Sequence, residues 1–394
     1  MSDAGAPADG RAAAVLRAAA ELASAVQEAA ADWDREGALP DSVRKEMAAA
    51  GLLAADLPTA YGGAGIGPAA LGETAALLGG VCGSMRGLLT VQGMVAAALH
   101  RWGTRAQRDE WLVPLASGEL TAGFAATEEG AGSALGAVQT QVDDTGAGGT
   151  VTVSGRKRWV TFGEVADVYL VLGQTDGRPA TVLVEADRPG VSREAVRGQL
   201  GLRAARIAHV TFDAVRVPRD HLVAPSGLGL SHVVGSALDH GRFTVAWGCV
   251  GIADACLADA AEHTATRVQD GVPLDSHQRV LSLLAKAYVD TLAARQLAER
   301  AAGARARGAG LGVAETIVAK YAAASAAASV SRDAVQLLGS VGCEPDSRSG
   351  RHFRDAKVME IIEGAQQVLE THIAERLVRP YRPGTAGPTA GGPA

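Results

Sequence analysis

From Val15 the apolar positions recur as Val15, Ala19, Leu22, Val26, Ala29 and Trp33, with charged residues between them. Steps of three and four place such positions on one face of a helix, so the spacing predicts an amphipathic helix across this stretch. Pro40 and Asp41 open a second helix that Gly51 closes, since glycine accepts the left-handed conformation that follows a helix end. Residues 56–67, DLPTAYGGAGIG, read as a loop. Helices resume after Pro68 and after Ser84, and Thr104 with Gln107 forms a capping-box pattern ahead of Trp111 and Leu112.

The period then changes. VQTQV (138–142), TVTVSG (150–155), VYLVLG (168–173), ATVLVE (180–185) and HVTFDAVRV (209–217) are short, rich in Val and Thr, and separated by glycine or aspartate turns. DDTGAGGT is a hairpin signal between two of them. With no helices between the strands, the pattern predicts a compact antiparallel barrel or sandwich. After Pro225 the helical period returns over 229–262, 277–307, 313–339 and 354–378. The expected division is an α-helical domain at 11–120, a β domain at 121–224 and a helical bundle at 225–379. The Pro- and Gly-rich tail 380–394 is expected to be disordered.

Composition narrows the function. A chain of 394 residues suits two or three domains, and 47% hydrophobic with 20% charged residues describes a globular protein. A net charge of −6 without a basic cluster argues against a nucleic-acid surface. The amino end, MSDAGAPADGRAAAV, lacks the basic and apolar regions of a secretory signal. No uninterrupted apolar run approaches the roughly 18 residues of a membrane span. A cytoplasmic enzyme without a membrane partner is the expectation. Cys82, Cys249, Cys256 and Cys343 show neither C-x-x-C nor a nearby His pair and read as buried free thiols, with no metal site implied.

Several chemistries are missing from the chain. It has no G-x-G-x-x-G or G-x-x-x-x-G-K phosphate cradle, no G-x-S-x-G elbow and no H-E-x-x-H helix. Two stretches remain suggestive. In GFAATEEGAGSALG (123–136) a strand runs into Thr127, two acids, small residues and Ser133. Small residues let backbone amides approach a bound group, although the segment also reads as an ordinary turn. In RDAKVMEIIEGAQQ (354–367) the carboxylate Glu363 stands between two isoleucines and Gly364, either as a helix end facing water or as a base whose proton affinity burial has raised.

Together these motifs resemble the acyl-CoA dehydrogenase family over about residues 11–378. TEEGAGS resembles its T-E-P-x-A-G-S-D flavin loop, and GRKRWVTFGEVADVYLV its G-x-K-x-W-I-T-N-x-x-x-A-D strand. VRVP and QLLGSVG match two further landmarks, and RDAK with IIEG resembles the segment that carries the catalytic glutamate. The resemblance implies an N-terminal helical domain, a middle antiparallel β-barrel and a C-terminal four-helix bundle. It implies FAD held by Phe124, Ala126, Thr127 and Ser133, with Trp159 and Thr161 beside the isoalloxazine. A neighbouring subunit would contribute Arg267, Gln336 and Gly339, hence a homodimer or homotetramer. Ser133, Asp239, Arg242 and Gly364 would face the substrate, and Glu363 would be the base, since Gly241 occupies the rival position before Arg242.

A thioester acidifies its α C–H, and a carboxylate serves best as base when desolvation lifts its pKa toward the working pH. Ile361 and Ile362 are expected to supply that apolar setting, and the Glu363 amide to hold the enolate oxygen. Glu129, Ala134, Asp270, Ser340 and Ala365 depart from the family pattern, Ala365 replacing a threonine that often meets the flavin. GSMRGLLTVQGMVAAALHRWGT, VAWGCVGI and RDAKVMEIIEG look most like the acyl-carrier-protein dehydrogenases that make hydroxymalonyl, methoxymalonyl or aminomalonyl extender units for polyketides. The implied reaction oxidises a carrier-bound 2-hydroxy- or 2-amino-3-oxopropionyl unit. α,β-Dehydrogenation of a short-chain acyl-CoA, a flavin-dependent oxygenase on the same fold and a non-enzymatic binding module stay open.

Overall fold

Three packed regions follow one another along the chain in the computed structural model, which describes residues 8–144, 149–308 and 311–382. The first is helical: α1 (Ala8–Ala25), α2 (Ala29–Glu36), α3 (Asp41–Ala49), α4 (Pro68–Gly79), α5 (Gly83–Trp102) and α6 (Arg105–Ala116). The amphipathic stretch expected as one helix from Val15 to Trp33 is broken by a turn at residues 26–28, which leaves Val26 and Trp33 both buried. Helix α6 starts on the capping box read from sequence: the Gln107 amide donates to Thr104 Oγ1 at 3.2 Å and the Thr104 amide to Gln107 Oε1 at 2.8 Å. Gln107 Nε2 also donates to the Leu222 carbonyl at 2.9 Å, so the cap binds this region to the next. Helix α5 is buried over most of its length.

The second region is a curled seven-stranded sheet: β1 (Ala122–Ala125), β2 (Gln141–Asp143), β3 (Thr150–Val160), β4 (Val168–Thr175), β5 (Arg178–Glu185), β6 (Val191–Ala195) and β7 (Ala208–Pro218). Its order is β1-β4-β2-β3-β7-β6, with β5 on the other side of β4. Most pairings are antiparallel, as the pattern predicts, but β1 and β2 both pair with β4 in parallel. Strand β6, VSREA, was not legible because four of its five residues are exposed and it has no apolar alternation. Of VQTQV only the end joins a strand, since the Thr140 amide and hydroxyl are taken by Glu128. β2 and β3 pair antiparallel as the hairpin signal requires, while the tip at 145–148 lies outside the described residues.

The third region opens with a π-helical turn (Gly229–Val234) running into α7 (Gly235–Thr266), followed by α8 (Gln278–Ala306), α9 (Leu311–Leu338), α10 (Arg348–Met359) and α11 (Gln366–Val378). The stretch Gly229–Thr266 is long and apolar enough to cross a membrane by length and composition, and 72% of its most apolar window is buried inside the protein. It serves here as the central core helix. The period over 354–378 predicts one helix, but the chain leaves helical geometry between Met359 and Gln366, and Glu363 stands in that break. Cys82, Cys249 and Cys256 are buried, whereas Cys343 is exposed, contrary to expectation. Of the tail expected to be disordered at 380–394, residues 383–394 lie outside the described residues, whereas its beginning is ordered, since Arg379–Tyr381 forms a short 3-10 turn.

Candidate active site

The run before Glu363 anchors α10 to both other regions. Arg354 pairs with Asp34 of α2, and Asp355 Oδ1 accepts the Leu202 amide at 2.6 Å. The chain then turns through two left-handed residues, Glu363 at φ +54° and Gly364 at φ +100°. Gly364 suits that conformation; Glu363 adopts it at a cost of about 1–2 kcal/mol. Two cations capture the carbonyls the turn exposes. Arg242 Nε of α7 donates to Glu363 O at 2.9 Å, and Lys320 Nζ of α9 donates to Gly364 O at 2.7 Å.

Held this way, the Glu363 side chain points into the protein, and its Oε2 is buried without a hydrogen-bond partner among the described residues. Burial lifts its pKa to about 7, against the opposing pull of Arg242, Lys320, Arg86 and His240. Burial likewise drops Lys320 to about 8. The isoleucines do not provide this setting as expected: Ile361 is 58% exposed and Ile362 only half-buried. The wall is α5 and α7. A Cβ on Gly241 would stand 2.7 Å from Glu363 Oε2 and 2.8 Å from Met94 Sδ, so the space of a side chain at 241 is taken by the carboxylate itself.

The sheet presents a second surface. Lys157, fully buried, reaches Glu128 at 2.7 Å and the Ala126 carbonyl at 3.1 Å. Glu128 also accepts from the amides of Gln139 and Thr140, at 2.6 and 3.0 Å. The Arg158 amide donates to Thr127 O at 2.8 Å. These bonds pin the 126–140 segment, leaving Thr127 half-buried, Ser133 exposed and Ala126 buried at the end of β1, next to half-buried Phe124. Trp159 sits on an irregularity of the β3–β7 ladder at φ +57°, with its indole 56% exposed and edge-on to His209. Thr161 follows, half-buried.

The remaining sequence-derived residues divide. Arg242 and Gly364 join Glu363 directly. Asp239 is instead drawn to Arg305 at 2.6 Å, with its Oδ1 buried and without a partner among the described residues. Arg267, Gln336 and Gly339 are exposed on this chain. Ala365 is half-buried at the start of α11. Sequence reading missed Lys320, Arg86 and His240, the last buried with Nε2 3.2 Å from Asp56. A lysine in the alanine-rich IVAKYAAASAAASV was the available signal for the first.

The residues fit a flavin. An exposed, strained tryptophan offers a flat ring surface, Gly130 and Gly132 have open space around their α-carbons, and a buried carboxylate oxygen without a hydrogen-bond partner among the described residues provides a proton acceptor. Fold and site thus define an oxidoreductase of the flavin-dependent dehydrogenase class. Family models described as the N-terminal, middle and C-terminal domains of acyl-CoA dehydrogenase match residues 12–119, 123–215 and 229–378. Mitochondrial short-chain specific acyl-CoA dehydrogenase of Homo sapiens is 31% identical over 359 residues, 90% of this chain and 86% of that protein. Among solved structures, "FkbI for Biosynthesis of Methoxymalonyl Extender Unit of Fk520 Polyketide Immunosuppresant" is 39% identical, covering 92% of this chain and 99% of that one at a TM-score of 0.86. Butyryl-CoA dehydrogenase from Megasphaera elsdenii is 28% identical with a TM-score of 0.90, covering 96% and 99%. The chain belongs to the acyl-CoA dehydrogenase family and is a flavin-dependent oxidoreductase.

Proposed function

We propose that the protein oxidises a three-carbon 2-hydroxy- or 2-amino-3-oxopropionyl unit, held as a thioester on an acyl carrier protein, to a malonyl-type extender unit. The substrate reading rests on the likeness to the methoxymalonyl protein FkbI over nearly the whole chain. The observation that carries the chemistry is Glu363 Oε2, buried without a hydrogen-bond partner among the described residues in the space Gly241 leaves open.

FAD, when bound, supplies the acceptor for the two-electron hydride. Glu363 takes the accompanying proton from a C3 hydroxyl of the hydrated aldehyde. As the C3 hydride leaves, the O–H pair becomes the second C–O bond of the new acid. Its raised pKa leaves the carboxylate largely ionised above about pH 7 while keeping it basic enough to accept a proton. Arg242 and Lys320 hold the turn that aims it. The Glu363 amide, which pairs with no backbone carbonyl among the described residues, faces the task of polarising the thioester oxygen. Phe124, Ala126, Thr127, Ser133, Trp159 and Thr161 would hold FAD on this chain. Exposed Arg267, Gln336 and Gly339 would serve the cofactor of a second copy, in a cytoplasmic homodimer or homotetramer.

A second reading, α,β-dehydrogenation of a short-chain acyl-CoA, is favoured by the 31% identity to the short-chain enzymes. There Glu363 would take the α proton as a β hydride leaves. Anaerobic mixing of the yellow protein with the carrier-bound C3 semialdehyde should bleach the flavin; bleaching by butyryl-CoA alone would sink the first reading in favour of the second. Glu363→Gln should abolish bleaching with FAD retained, and turnover surviving that change removes Glu363 as base.

A further inference from the structure

At one point of the sheet two residues of β3 face a single residue of β7. Lys157 lies opposite Val210 and Val160 opposite Ala208, so Arg158 and Trp159 share the partner His209. Such a bulge bends its strand and re-aims the side chains it carries, and bulges gather beside active sites. The two amides of this bulge leave in different directions. That of Arg158 donates to Thr127 O at 2.8 Å, and that of Trp159 donates to His209 Nδ1 at 3.2 Å. The first bond ties the bulge to the 126–140 segment. The second ends on a group that titrates.

This second bond sets a condition on His209. A neutral imidazole has one bare nitrogen, and an Nδ1 that accepts leaves the ring's proton on Nε2. The imidazolium has no acceptor, so a protonated His209 cannot hold the Trp159 amide. The backbone held there is strained: Trp159 stands at φ +57°, a region a bulky side chain keeps only when its surroundings fix it. The indole is thereby turned outward, its ring centroid 5.5 Å from that of His209 and the two planes 86° apart. Among the described residues, the charged groups acting on His209 are Arg156 and Arg158 of β3, Glu194 directly opposite on β6, and Glu129 of the 126–140 segment. Arg156 is paired with Glu194, and Arg158 with Glu129 at 3.5 Å, so each cation has an anion beside it. Burial and then Arg158 hold the imidazole below its ordinary value of 6.5, which keeps Nδ1 bare at neutral pH.

We propose that His209 is a positioning residue for the flavin: its bare Nδ1 fixes the bulge that presents the Trp159 ring to the isoalloxazine, and protonation of that nitrogen releases the ring and weakens the hold on the cofactor. This rests on the reading of Trp159 as the surface beside the flavin. The proton comes from solvent and adds to Nδ1 while the Nε2 proton stays, and no bond of the cofactor changes. The linkage is reciprocal, so bound FAD lowers the proton affinity of His209 by the same factor.

The test is calorimetric titration of the flavin-free full chain with FAD at pH 8 and pH 5.5. Asparagine carries an oxygen on its γ carbon where histidine carries Nδ1, an acceptor that does not titrate. Wild-type affinity should therefore fall about fivefold more than that of His209→Asn over this range, the effect of one hydrogen bond. His209→Phe keeps a ring without an acceptor and should bind FAD as weakly at pH 8 as the wild type does at pH 5.5. Tryptophan emission of the flavin-free protein gives a second reading, a change with pH that is absent from His209→Asn and from Trp159→Phe. The differences are needed because Trp102 and Trp111 also lie edge-on to histidines. A His209→Asn protein that follows the wild-type pH dependence overturns the proposal, as does a His209→Phe protein that melts as the wild type does and keeps full affinity at pH 8. If Trp159→Ala binds FAD undiminished while the emission change persists in the wild type, what fails is the reading of Trp159 as the flavin surface, and His209 is left holding a bulge with no part in cofactor binding.

Discussion

Lys320 is fully buried, and its ammonium is spent on the Gly364 carbonyl. It therefore acts on Glu363 twice, by holding the turn and by favouring the ionised carboxylate. Removing a charge this close at an intermediate effective dielectric is worth roughly 1 kcal/mol, or nearly one pH unit. Lys320→Met should move the acidic limb of the kcat/KM profile from about pH 7 toward pH 8, with activity at pH 9 affected least. An unmoved limb would reduce Lys320 to packing. Glu363 itself was legible because its motif neighbours are local in sequence. Arg242 was legible as a site residue through its own motif but not as the partner of the Glu363 carbonyl 121 residues away, and Lys320, 44 residues from the Gly364 carbonyl it holds, was not legible at all.

At the scale of the element, what matters is that the helix expected over 354–378 is two helices. Nothing in the apolar period marks the break: Val358, Ile361, Ile362 and Leu369 keep helical spacing straight through it. The backbone departs because Gly364 tolerates φ +100° and two cations from other helices take the released carbonyls. Gly364→Ala should cost about 1–2 kcal/mol from backbone conformation alone. Its added methyl would also press Leu369 Cδ2 at 3.1 Å. The expected readout is a melting temperature lowered by a few degrees and flavin reduction slowed far more than that loss implies, because the turn aims the base. Equal, modest losses in both would place Gly364 in stability only.

At the scale of the whole molecule, the base imposes a pH signature on folding. Glu363 has its folded pKa raised from 4.5 to about 7, so between these values the native state binds more protons than the unfolded one. Stability must then fall as pH rises through that window, by up to about 3 kcal/mol. Glu363→Gln should remove the penalty, melting above the wild type at pH 8 and close to it at pH 4. Parallel melting curves across that range would contradict a buried, ionisable Glu363. The sequence by itself determined what depends on short-range pattern: helices read from three-four spacing, strands from Val and Thr alternation, the Thr104 cap, and the ordered motifs that mark the family. Tertiary structure alone decided what depends on residues distant in the chain meeting at one point. It split the last periodic helix, drew Asp239 to Arg305, paired two strands with β4 in parallel, and set Arg86 and Lys320 in a low-dielectric core around one carboxylate. The physical reason is that periodicity reports which face of an element is buried, whereas a pKa, a captured carbonyl or an unpaired charge depends on what the other elements bring to that face.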